Sequence, residues 1–459
     1  MGNEAPAAGP LPFYYVMVVW GDKYVDLLLD WALPFLLAPG NLPGLSNLRE
    51  SKFLFITTRK DAERIRASEP FKVLSSLMPV SFPDAPWIEH NIPYYFKAAR
   101  GHKEAANLAV EVGAYCVYLA PDFLLSDGSL RSLVQMARSG KDAVLVPGIR
   151  VCTETASEEI QRRYPDRPGH ALSIPPRSLV ELCLRHIHAE NQRYNWDHPC
   201  FSEAPVVCTW NVPGEHGLLI RAFHLHPLLV KMNKRESTAL LESNTIDGEF
   251  LGFNFLDWDV IHIETDSDNI ALFSFTDSND RRQTLAPNAA SAAKLRLIAN
   301  SPLVNPLHRY YFTKAIKLHS RELNQKWKAV DERSALIAYE ALSYAPGGKA
   351  SDHLKYIPST PLVIEAMKRV WRRAIRIPWF LIRVPQKLLY YLTNLKFVDG
   401  KRLSDVEKEN EYLTNLAADL NLEIALLKRV LSVTGRGPLE ATRADKLDSQ
   451  KTDPSPGHR

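Results

Sequence analysis

One stretch, residues 101 to 146, constrains the fold of this chain most. It reads GHKEAANLAVEVGAYCVYLAPDFLLSDGSLRSLVQMARSGKDAVLV. A helical pattern over Lys103–Val112 leads into a short apolar run, Val117-Tyr118-Leu119, bounded by Ala120-Pro121. That run reads as a buried strand. Asp122 then stands just past the strand's C-terminal end. In an open α/β sheet, ligands bind at that edge. A carboxylate there can hold a divalent metal and, through it, a diphosphate. The same residue can as simply cap a turn after Pro121. An Asp-Gly turn at Asp127-Gly128, a second helix and the strand Ala143–Val146 follow.

The preceding residues repeat the alternation. Tyr14–Trp20 is an apolar strand ending at Gly21, where the backbone can turn sharply or approach a ligand. A helix is predicted over Tyr24–Leu37, a strand over Lys52–Thr58 and a helix opening at Asp61. Phe71–Leu74 reads as a third strand. Such β-α-β-α-β order with short connections predicts a mostly parallel sheet flanked by helices. From Cys152 to Arg221 the pattern loosens around one helix, Arg177–Asn191. Strands return at Gly217–Arg221 and Val260–Glu264, and helical patterns dominate after Ser301. The expected division is an α/β domain over 12–300, a helical region over 301–434 and a disordered tail over 435–459.

The helix and strand around Asp122 resemble the core of GT-A-type nucleotide-sugar glycosyltransferases, a Rossmann-related fold, and the chain looks bacterial. The resemblance covers roughly residues 12–270. It rests on Lys103 and Asn107 in the helix, Tyr118-Leu119-Ala120-Pro121-Asp122 at the strand end and the turn Asp127-Gly128-Ser129-Leu130. This chain departs from the family pattern at Ala120, which replaces the first Asp of Asp-x-Asp and leaves one carboxylate where two are usual.

The resemblance implies a nucleotide-sugar donor, a glycan, lipid-linked or protein acceptor, and a divalent metal, Mn²⁺ or Mg²⁺. It implies that Trp20, Gly21, Thr57 and Thr58 hold the base and ribose. Lys103 and Asn107, four apart on one helix face, would reach the diphosphate and the sugar. Asp122 would bind the metal. Asp247, with Glu249 as second choice, would deprotonate the acceptor in an inverting reaction.

His224 and His226 alternate, so in a strand both point to one face, where two imidazoles can bind a metal. His226 is the candidate for a further ligand beside Asp122. Asp266-Ser267-Asp268 is the chain's literal Asp-x-Asp and competes for the metal. A metal-dependent hydrolase built from His224, His226, Asp266 and Asp268 is therefore an alternative. So is a non-catalytic protein that binds nucleotide-sugar without turning it over.

Composition narrows the setting. A net charge of +4 over 459 residues gives no reason to invoke nucleic acid. Five scattered cysteines without a C-x-x-C pair, and no apolar leader, point to a reducing cytoplasm. No run of about twenty apolar residues predicts a spanning helix. The stretch 370–396, VWRRAIRIPWFLIRVPQKLLYYLTNLK, mixes basic and aromatic residues and suits peripheral contact with the inner face of an anionic membrane. Packing against the protein itself is the other use of such a segment.

Overall fold

The computed structural model describes residues 11–90, 93–232, 246, 250–255, 257–280, 287–301 and 304–342. Asp247, Glu249, the segment 370–396 and the tail from 435 lie outside the described residues.

The first strand, β1 (Phe13–Val18), is buried along its whole length. Phe13, Tyr15 and Met17 enter one hydrophobic core; Tyr14, Val16 and Val18 enter another. A strand covered on both faces reads as an unbroken apolar run. α1 (Asp22–Leu27) continues through a π-helical turn, Leu28–Ala32, into α2 (Leu33–Leu36). Pro34 has no N–H for the Asp30 carbonyl four residues back. The Arg167 guanidinium donates to that carbonyl instead, at 2.7 Å.

After β2 (Lys52–Ile56), Thr58 caps α3 (Arg59–Ala67) by accepting the Asp61 amide at 3.1 Å. The strand expected over Phe71–Leu74 is instead part of α4 (Glu69–Leu77), and the third strand is β3 (Val80–Ser81). The Ser68 hydroxyl accepts the Phe71 amide at 3.3 Å, and Pro70 sits in the first turn, where a missing N–H costs nothing. Cap and proline together start a helix that an apolar tetrapeptide alone does not reveal.

α5 (Tyr94–Glu111) begins well before Lys103 and leads into β4 (Tyr115–Leu119). Then come β5 (Phe123–Leu125), α6 (Ser129–Arg138), β6 (Ala143–Val146), β7 (Ile149–Cys152) and α7 (Thr153–Arg163). The helix expected over Arg177–Asn191 is split into α8 (Pro176–Leu184) and α9 (Ala189–Gln192). β8 (Val207–Val212), β9 (Gly217–Ala222) and β10 (His226–Lys231) follow, so His226 opens a strand while His224 lies in the connection before it. Next are α10 (Phe250–Asn254), β11 (Ile261–Ile263), β12 (Leu272–Thr276) and α11 (Ala292–Ala299). The last described elements are α12 (Pro306–Phe312), β13 (Ile316–His319) and α13 (Gln325–Leu342).

The architecture is mixed α/β. Its central sheet has the order β11-β6-β10-β4-β1-β2-β3, mostly parallel, with β10 antiparallel to both neighbours. Two smaller sheets have the orders β5-β12-β7 and β13-β9-β8. β1 has β2 on one side and β4 on the other. The strand order therefore reverses between β1 and β4, and a crevice is expected outside their C-terminal ends. Among the described residues no helix is long and apolar enough to cross a membrane.

Candidate functional site

A cleft of about 510 Å³ opens at that reversal. The first turn of α1 brings Lys23, and the turn after β4 brings Ala120 and Asp122. Arg150 enters from β7, Glu190 from α9, His224 and His226 from the approach to β10, and Asp277 and Asp280 from the loop after β12. A backbone bond from the Phe275 amide to the Asp122 carbonyl, 2.9 Å, stitches β12 onto the turn after β4.

Asp122 is half-buried, and burial pushes its carboxyl up to about 6 against the opposing pull of Arg150 and Lys23. Lys23 donates to Asp277 Oδ2 at 2.5 Å, and that bond holds the ammonium above the usual lysine range. The ring of His188, fully buried, bonds the Asp277 carbonyl through Nε2 at 3.1 Å and accepts the Glu190 amide on Nδ1 at 3.1 Å. His188 thereby sets the loop that carries Asp277. Tyr194 donates to Glu190 Oε1 at 3.0 Å; burial, then Glu190, pushes its phenol up to about 12. Among the charged lining residues, Asp122, Glu190, Asp277 and Asp280 face only Lys23 and Arg150. A diphosphate alone would meet net negative charge there, and a divalent cation would balance it.

Three of the residues singled out from the sequence, Asp122, His224 and His226, meet in this cleft. His226 Nε2 bonds the Tyr118 carbonyl at 2.9 Å, so Nδ1 is the nitrogen that would have to meet a metal. Trp20, Gly21, Thr57 and Thr58 stand at the adjoining ends of β1 and β2 rather than in the cleft lining. Asp61 joins them: its Oδ2 accepts the Gly21 amide at 2.9 Å and the Thr58 hydroxyl at 2.8 Å. The buried Thr57 hydroxyl has no hydrogen-bond partner among the described residues. The Lys97 ammonium lies over the Trp20 ring, 5.7 Å from its centre.

A Cβ at Gly101 would touch Val18 near the end of β1, and beyond Gly101 the helix descends toward the start of β4. Neither Lys103 nor Asn107 lines the cleft.

Asp266 and Asp268 do not line the cleft either; they stand against His319 of β13. The chain after β11 runs beside β13, with Lys317 donating its amide to the Thr265 carbonyl at 2.9 Å. His319 Nε2 lies 2.8 Å from Asp266 Oδ1, and Nδ1 lies 2.8 Å from the Arg321 carbonyl. Asp266, Asp268 and His319 each bring one ligand atom within 4.8 Å of the others, a spacing that one metal ion can span. Arg177 competes for this site: it grips both oxygens of Asp268 and holds that carboxyl below its usual range. The four residues of the hydrolase alternative are thus divided, His224 and His226 in the cleft and the two aspartates with His319.

Sequence reading did not single out Arg150, Glu190, Asp277 or His319. Each is an ordinary polar residue whose position follows from a distant strand pairing. Lys23, two residues past Gly21, was the one such residue with a local cue.

No family model matches this chain, and no curated protein matches it. Among solved structures it is similar to Staphylococcus aureus TarS, with 13% identity over 66% of this chain and 42% of TarS, at a TM-score of 0.24. The chain thus spans less than half of the longer TarS structure. A shorter TarS structure matches at 12% identity over 66% of this chain and 70% of that one, at a TM-score of 0.25. A candidate glucose-1-phosphate thymidylyltransferase from Bacillus anthracis, in complex with sucrose, matches at 9% identity over 31% of this chain and 57% of that one, with a TM-score of 0.19. At this level of superposition the likenesses carry no functional weight.

Proposed function

We propose that this protein transfers a sugar from a nucleotide-sugar to a glycan, lipid-linked or protein acceptor. One observation carries the reading. A half-buried carboxylate, Asp122, stands just past β4 where the strand order reverses, in a cleft that also presents Lys23 and Arg150. That is where an α/β sheet binds a phosphorylated ligand, and Lys23 and Arg150 together with a divalent cation would balance a diphosphate leaving group.

In this reading the base and ribose lie along Trp20, Gly21, Thr57 and Thr58. The Thr57 hydroxyl, which has no hydrogen-bond partner among the described residues, is a polar group that a ligand would satisfy. Lys23 and Arg150 orient the diphosphate. Asp122, raised by burial, gains from a nearby cation. A divalent ion held there, with His226 Nδ1 as a second protein ligand, would supply charge to the departing diphosphate. The proton of the acceptor hydroxyl goes to Asp247, or to Glu249, and the acceptor oxygen displaces the nucleoside diphosphate from the sugar.

A thermal-shift panel of UDP-, GDP-, CMP- and dTDP-sugars, with and without Mn²⁺, tests the proposal on the wild type and Asp122→Asn. Ligands that bind the native state raise Tm by mass action. A shift confined to one nucleotide class, enhanced by Mn²⁺ and weakened in Asp122→Asn, is expected. No shift with any nucleotide, together with a Mn²⁺ shift that survives Asp122→Asn, would overturn it in favour of a cation at Asp266, Asp268 and His319.

A further inference from the structure

A second cavity, about 400 Å³, lies next to the cleft and shares Asn191 with it. The wall between them is β7: Arg150 lines the cleft and Ile149 the second cavity, as alternation along a strand requires. Asn191, nearly buried, is pinned in that wall by accepting the Arg150 amide at 3.1 Å. One face of β8 runs past both cavities. Val207 lines the cleft, and Thr209 and Asn211 line the second cavity. Two residues along a strand advance about 6.8 Å, so Val207 to Asn211 covers roughly 13 Å.

The second cavity differs from the first in charge. Its guanidinium, Arg185, is spent on Glu159 at 2.7 Å and Glu181 at 2.8 Å, and its carboxylate, Asp197, is paired with Arg333 at 3.0 Å. Asn195 Oδ1 accepts the Asp197 amide at 3.1 Å and Gln192 Nε2 donates to the Ile187 carbonyl at 3.0 Å, so the neutral groups facing this cavity are the NH₂ ends of Asn191 and Asn195, the Gln192 carbonyl, the Asn211 amide and the Thr209 hydroxyl. His198 accepts the Cys200 amide on Nδ1 at 3.1 Å, which leaves its ring proton on Nε2 as a donor. Ile149, Ile187 and Leu218 supply apolar surface. Amides both donate and accept, as sugar hydroxyls do, and apolar patches suit the C–H faces of a ring. Both charged groups that line it are held in ion pairs, and no unpaired charge among its lining residues favours a phosphate or a carboxylate.

We infer that this second cavity is a subsite for neutral sugar units of a saccharide acceptor whose reacting end lies in the cleft. The inference rests on the glycosyl-transfer reading and narrows its acceptor to a chain with at least one uncharged ring beyond the reacting one.

The test is binding of maltotriose, cellotriose and triacetylchitotriose, with trigalacturonate as a charged comparator, followed by NMR or calorimetry on the full chain. Asn211→Trp is the blocking variant: Asn211 is exposed on β8, and tryptophan suits a strand. At least one neutral trisaccharide is expected to bind the wild type at about 10 mM, tenfold above the Kd of a millimolar binder. Asn211→Trp is expected to weaken it at least tenfold while leaving the nucleotide-sugar thermal shift in place. Equal binding to the variant, no neutral trisaccharide bound, or equal binding of trigalacturonate would overturn the inference. A wild-type protein that shows the nucleotide shift but binds no neutral trisaccharide sinks the subsite alone. Trisaccharide binding blocked by Asn211→Trp, without any nucleotide shift, sinks the transferase reading and leaves a saccharide-binding pocket.

Discussion

The Gly21 amide donates to Asp61 Oδ2 at 2.9 Å, tying the end of β1 to the first turn of the helix after β2. Gly21 itself has φ 81° and ψ 148°, a conformation close to glycine-only territory. A Cβ there would meet nothing within 4 Å, so the cost of Gly21→Ala is backbone strain alone. A loss of about 1–3 kcal/mol is expected, read as a lower denaturation midpoint with an unchanged m-value. An unchanged midpoint would mean that the turn relaxes without strain.

Asp122 gives a prediction with a definite sign. Its folded carboxyl titrates near 6, above the unfolded value, so between about pH 4 and 6 the native state binds the extra proton. Stability tied to this group is therefore present below the unfolded pKa and lost as pH rises through 6. Asp122→Asn should leave stability near pH 4 unchanged and raise it near pH 7, by at most about 3 kcal/mol. Urea melts across that range measure it. A variant less stable than wild type at pH 7 would show that the charged carboxylate has a compensating partner. A gain in stability alongside a loss of nucleotide binding is the trade-off expected of a functional group.

Glu159 behaves in the opposite sense. Burial pushes its carboxyl up, but hydrogen bonds from His186 and Arg185 and the nearby Arg163 hold it at about 2. Its stability contribution is present above the unfolded value and is lost as pH falls from about 4.5 towards 2. Glu159→Gln should destabilise the protein by about 1–3 kcal/mol at pH 7 and flatten the acid limb of the stability profile. Because Arg185 also lines the second cavity, the same variant leaves its guanidinium balanced by Glu181 alone rather than by two carboxylates. Binding of trigalacturonate to Glu159→Gln, absent in the wild type, is a further readout.

Gly217 opens β9 directly beneath Trp327 of α13, and a methyl group there would overlap the indole. Gly217→Ala should cost about 1–3 kcal/mol through overpacking. Loss of the native tryptophan fluorescence shift at lower denaturant would report it. A neutral result would mean that α13 slides to make room.

The outcome along the chain follows the kind of signal each element carries. β1, β2, β4 and β6 are apolar on both faces because both faces are covered, so they stood out as unbroken runs. Phe71–Leu74 carried the same apolar signal but sits behind a Ser68 cap and Pro70, and local hydrogen bonding overrode it. β13 was missed between two helical patterns, since its pairing partner β9 lies almost a hundred residues earlier.

What the sequence determined by itself was local: where apolar runs make strands, where caps and prolines start helices, and that a carboxylate follows β4. Hydrogen bonding and burial act within a few residues at that level. The tertiary structure alone decided which charges share a cleft. Lys23 and Asp277 are 254 residues apart and bond at 2.5 Å, while Asp266 turns away to His319. Strand order and crossover connections bring such groups together, and neither is written in the residues they join.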